Sequence, residues 1–76
     1  LVLLGPEEQH FRGFGLAGLA NIYHRQNDPK KVVEELVSLI EIIDQIDLKV
    51  QMEIIDRLDE DLRKTFEEQR AVATYQ

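Results

Sequence analysis

The sequence predicts an all-α protein, a compact bundle of four to five short helices forming one domain over residues 1–76. Apolar residues recur at helical spacing in blocks, and the corners between blocks are short and carry capping residues, Asp28-Pro29, Asp47 and Asp59. Nowhere do apolar and polar residues alternate strictly between turn residues, so no strand signal competes. With 76 residues the chain lies near the lower size limit for unaided folding, and it has no cysteine to brace it. Its core must therefore be packed Leu, Ile and Val, within an apolar fraction of 43%. Short turns and the lack of sustained heptads argue against a coiled coil.

Gly5-Pro6 followed by Glu7 and Glu8 marks a helix start, since Pro suits the first helical position and acids favour the positive end of the helix dipole. Gly13, Gly15 and Gly18 each cost about 0.8 to 1 kcal/mol against Ala in a helix interior, which predicts a break near Gly13–Gly15. From Leu16 the spacing of Leu16, Leu19, Ile22 and Tyr23 resumes the period and runs to about Gln26. Asn27-Asp28-Pro29 then makes a tight corner: Asn ends one helix, Asp28 caps the next, and Pro29 opens it with φ preset. A second helix extends to about Gln45. Asp47 is expected to cap a third over Leu48–Leu58, with Met52, Ile55 and Leu58 inward. Asp59 is expected to cap a fourth, anchored by Leu62 and Phe66. Acid-first i,i+4 pairs, Glu53 to Arg57, Asp59 to Arg63 and Glu60 to Lys64, would lace the wet face. The tail AVATYQ carries no clear pattern and is expected to fray, and Leu1–Leu4 would be the end of a truncated fifth helix.

The net charge of −6 without a basic cluster argues against nucleic acid and against an acidic membrane leaflet. Leu1–Leu4 is too short for a membrane span or a signal peptide. Lacking an initiator Met, the chain reads as a piece excised from a longer protein, and the absence of cysteine fits a cytoplasmic home. His10 and His24 do not close a metal site, and the acid run DRLDEDL lacks the Gly and terminal Glu of a calcium loop. The glycines do not form a phosphate loop, which needs G-x-x-x-x-G-K-[ST]. Ser38 stands alone in mid-helix, Thr65 and Thr74 have no neighbouring base, and Glu34 and Glu35 point to different sides of their helix. The expectation is a protein that is not an enzyme and uses no cofactor and no metal.

The second helix carries more apolar surface than a simple surface helix requires. Val32, Val33, Leu36, Val37, Leu39, Ile40, Ile43 and Ile46 fill an arc of about 180°, with Ile42 just outside it, against about 100° for an ordinary core-facing stripe. Either three neighbours enclose this helix or part of the arc is left for a partner's amphipathic helix. The stretch IYHRQNDPKKVVEELVSLI resembles the second-to-third helix junction of harmonin-homology domains. In that family a Tyr or Tyr-His ends one helix, a short polar turn follows, and a Leu-Val pair with further aliphatics builds the next. LKVQMEIIDRLDEDLRKTFEE is similar to the family's ending, a tight corner into a short helix bearing an aromatic, here Phe66; the likeness covers residues 16–68. The resemblance implies a five-helix adaptor module of scaffold proteins that binds helical segments of partners in an apolar groove, without catalysis.

The functional expectation is a protein–protein interaction module of a cytoplasmic scaffold. Its groove would be lined by Val33, Val37 and Ile40 facing Phe11, Phe14 and Tyr23, with Lys30 and Lys31 at its mouth to meet an acidic ligand. The alternatives are a homodimerisation domain that buries the same surface against a second copy, and a paired-amphipathic-helix-like module of a nuclear regulator. Leu36 lies at the centre of the arc, so Leu36→Ala is expected to cost about 2 to 5 kcal/mol through cavity formation. Chemical denaturation measures it, and a loss below about 1 kcal/mol would mean that the arc does not face the core.

Overall fold

A computed structural model describes residues 6–74. Four helices follow one another, α1 (Pro6–Arg25), α2 (Pro29–Ile43), α3 (Leu48–Arg57) and α4 (Glu60–Thr74), and no strand occurs among the described residues. The protein is an all-α bundle. Gln9 meets Gln45 at one end of α1 through a 3.3 Å hydrogen bond, and Asn21 meets Arg57 and Asp59 toward the other. α4 starts beside that second end and carries Arg70 back to Asp44, at 2.8 Å. The helices therefore run alternately in opposite directions, the arrangement short connections favour. Leu1–Leu4, on which the expected fifth helix rested, lie outside the described residues.

α1 is continuous, where a break near Gly13–Gly15 was expected. Its inward face consists of Gly13, Ala17 and Ala20, spaced i, i+4, i+7, all buried. These small residues let α1 lie close against large ones, Leu36, Leu39, Ile43, Ile46 and Ile54, in the shared core. A Cβ at Gly13 would stand 2.5 Å from Ile54 Cδ1 and 3.3 Å from Ile46 Cδ1. Propensity argues for a break, but an unbroken α1 buries its small-residue face along the bundle, and that burial outweighs about 2 to 3 kcal/mol of glycine cost. The same rotation turns Leu19 and Ile22 outward, whereas their spacing with Leu16 and Tyr23 suggested the core; Leu16 and Tyr23 remain half-buried.

The corner between α1 and α2 follows the sequence closely. Asn27 is left-handed at φ 59°, its N–H donates to the His24 carbonyl (3.1 Å), and the Asp28 N–H donates to the Tyr23 carbonyl (3.0 Å). That is the Schellman pattern, with Asn in the position glycine usually holds. Asp28 also accepts from the Lys31 N–H at 3.4 Å and so caps α2, with Pro29 in its first turn. Two residues thus end one helix and begin the other.

The other corners depart from expectation. Asp47 makes no side-chain cap; instead Gln51 Nε2 donates to the Ile46 carbonyl at 2.6 Å. In α3 the fully buried residue is Ile54, followed by Leu58 at the corner, while Met52 is 59% exposed and Ile55 half-buried. Met52 and Ile54 lie about 200° apart on a helix, so only one can face inward, and Ile54 does because it fills the space at Gly13. The expected i,i+4 pairs are not among the ion pairs of the described residues, which are Arg25–Asp59, Lys31–Asp28 and Arg70–Asp44. Arg57 instead lies over the Phe14 ring at 4.9 Å, and Arg63 donates to the Leu58 carbonyl at 3.2 Å. Leu62 and Phe66 are buried as anticipated, and α4 continues through residues 71–74, where fraying was expected.

Asn21 clamps the α3–α4 corner from α1. Its Nδ2 donates to the Arg57 carbonyl (2.8 Å) and its Oδ1 accepts from the Asp59 N–H (2.9 Å), so both groups of one side chain serve backbone left open where α3 ends.

Gly13→Ala gains about 1 kcal/mol of helix propensity but forces a methyl into Ile54, for an expected net loss of about 1 kcal/mol. Ile54→Val removes the opposing Cδ1, so the double variant should be more stable than the sum of the single changes predicts. Denaturant unfolding of the four proteins measures that coupling, and additivity would place Gly13 away from Ile54. Asn21→Ala is expected to cost about 1 to 2 kcal/mol in the same assay.

Candidate protein-binding surface

α2 has two apolar edges with different neighbours. Val32, Leu36, Leu39 and Ile43 are buried in the core it shares with α1. Val33, Val37 and Ile40 lie along the edge toward α4, Val33 and Val37 each 41% exposed and Ile40 half-buried. The wide arc is thus neither fully enclosed nor wholly free: α1 takes most of it, and α4 only partly covers the rest.

Two open hollows follow the seam between α2 and α4. At its foot, about 200 Å³ is lined by His24, the Asn27–Asp28–Pro29 corner, Val32 and Val33 on one side and Asp61, Leu62 and Thr65 on the other. Further along, about 350 Å³ is lined by Val37, Ile40 and Glu41 of α2 with Gln69, Val72 and Ala73 of α4. The two helices run in the same direction, and each of 15 residues is about 22 Å long. Shallow and open along its length, the seam does not enclose a small molecule, which needs most of its surface buried. Its form is a trough between two helical walls, with Lys30, exposed and one turn before Val33, at the foot.

The aromatics expected to face this edge lie elsewhere. Because α1 turns Gly13, Ala17 and Ala20 inward, Phe14 is carried toward α3, where it is half-buried under the Arg57 guanidinium. Phe11 is 77% exposed and borders a separate hollow with Glu7, His10 and Phe14. Tyr23 packs against the core and lies under Lys31 Nζ at 5.3 Å; the Lys31 ammonium is also 4.0 Å from Asp28. Val33, Val37 and Ile40 stay together, then, and their opposite wall is α4. Gln69, Val72 and Ala73 were missed as wall residues because Gln69 is polar and AVATYQ carries no clear apolar pattern. The signal that could have found them is the continued spacing of Leu62, Phe66, Gln69 and Ala73.

A larger hollow, about 460 Å³, runs along α4 between Glu60, Asp61, Arg63, Lys64, Glu67 and Glu68. All its walls come from one convex charged helix, so it is a solvated face and not a cleft. Thr65 Oγ1 donates to the Asp61 carbonyl one turn back, at 3.2 Å. Among the described residues no three His, Cys, Asp or Glu side chains converge on a common point, and no helix is long and apolar enough to cross a membrane. The chain matches no protein-family model, no curated protein and no solved structure.

Proposed function

We propose that this protein is an interaction module that takes an amphipathic helix of a partner protein into the trough between α2 and α4. The observation carrying this reading is the half-exposed row Val33, Val37 and Ile40, with Leu62 and Thr65 opposite Val33 and with Val72 and Ala73 opposite Val37 and Ile40. A ligand helix with apolar residues at i, i+4 and i+7 would complete a three-helix contact there, in the helix-in-groove mode. Lys30 at the foot favours an acidic residue at one end of the ligand. The resemblance of residues 16–68 to harmonin-homology domains supports the same role, an adaptor in a cytoplasmic scaffold protein. Phe11, Phe14 and Tyr23 are not part of this trough, and binding through it involves no cofactor and no catalytic step.

Val37→Asp tests the reading. At a half-exposed position the new carboxylate keeps its water, so the variant should melt within a few degrees of the parent while losing the partner, because a docked helix would strand the charge. Glu53→Lys, on an exposed position of α3 away from the trough, is the control expected to keep both fold and binding. Thermal melts and side-by-side capture from cell lysate compare the three proteins. A protein retained by the parent and Glu53→Lys but lost by Val37→Asp supports the trough; one retained by a folded Val37→Asp moves the site to another face.

A further inference from the structure

The outward face of α1 is apolar where a surface helix is normally charged. Opposite the buried Gly13, Ala17 and Ala20 stand Phe11, Gly15, Gly18 and Ile22, flanked by Leu19 and the rim of Phe14, with no charged residue among positions 13–23. A helix apolar on both sides ordinarily has a neighbour on both sides. The two outer glycines differ from Gly13: a Cβ at Gly15 or Gly18 would meet nothing within 4 Å. Both weaken the helix relative to alanine without easing any contact in the chain itself.

The spacing along this face reads nearly the same in both directions. About a midpoint between Gly15 and Gly18, Phe11 mirrors Ile22, Phe14 mirrors Leu19, and Glu8 mirrors Arg25, with Glu7 next to it. We propose that the face docks a second copy of this chain, α1 against α1 and antiparallel, across a two-fold axis between the glycines. In that arrangement Phe11 packs on the partner's Ile22, the glycines let the two backbones approach, and Glu7 and Glu8 lie beside the partner's Arg25. Charge complementarity selects a copy in this orientation. The acidic start of α1 meets its own basic end twice, and the antiparallel helix dipoles agree. A parallel copy would set acid against acid. Arg25 already approaches Asp59 at 3.6 Å, but its side chain is largely exposed and that contact leaves it free to turn to a second acid. One helix face is smaller than the roughly 800 Å² per partner of a standard interface, so the dimer is a weak one. The contact is independent of the α2–α4 trough.

Sedimentation equilibrium of the 76-residue chain tests this. The mass should rise from one chain toward two as the concentration is raised from about 10 μM to about 1 mM. Phe11→Glu, at a highly exposed position, should keep the melt of the parent and remain one chain throughout. Arg25→Glu should weaken association by about tenfold, and adding Glu7→Arg and Glu8→Arg should restore it to within about threefold, because only the antiparallel pairing exchanges those charges. A parent that stays at the mass of one chain up to about 1 mM overturns the proposal. So does a dimer that survives Phe11→Glu, or a charge reversal that fails to restore association. A dimer lost on Val37→Asp but kept on Phe11→Glu would place self-association in the α2–α4 trough instead.

Discussion

The fold depends on how closely α1 can approach its neighbours. At Gly13 even one methyl group would displace the tip of Ile54, and Ala17 and Ala20 are fully buried, so the helix with the smallest inward residues lies close against its neighbours. The large side chains that fill the core come from the other helices, Leu36, Leu39 and Ile43 from α2, Ile54 from α3 and Phe66 from α4. Large residues on one side facing small ones on the other pack at native density in a chain too short to support many layers.

That rotation of α1 has consequences far from Gly13. It turns Asn21 to the α3–α4 corner, where one side chain serves the end of one helix and the approach to the next. It places Phe14 under Arg57, taking that arginine away from the i,i+4 partner it would otherwise have had on α3. It also commits Phe11, Leu19 and Ile22 to the outside. Exposed apolar residues scattered singly need no explanation, but residues aligned on one helix face and interrupted only by glycines form a surface.

α2 divides its apolar arc between the core and the seam with α4. α4 is held to the bundle by Leu62 and Phe66 and by Arg70 on Asp44, while Val72 and Ala73 stand apart from Val37. The proposed partner helix would lie along the part of this seam that α4 leaves uncovered. The described residues thus carry two apolar surfaces on different sides: one trough shaped by two helices, and one helix face with its own pattern of charge.

The helical class, the order of the four helices and the corner at Asn27-Asp28-Pro29 were legible in the sequence, because these rest on local chemistry: period, caps and the φ preferences of a few residues. So was the excess of apolar surface on α2 over what one neighbour needs. Which face of α1 is buried was set by packing between helices. Leu19 and Ile22 outrank Gly13 and Ala17 on any hydrophobic scale, and the preference for the smaller residues arises from the volume of Ile46 and Ile54, distant in the chain. The same holds for Met52 and Ile54, for the arginines that chose a ring or a carbonyl over a helical neighbour, and for the wall opposite Val37, which α4 supplies in place of the expected aromatics. Local propensities are settled within a turn or two of the chain, whereas the choice of face depends on the shape left by helices elsewhere in the sequence.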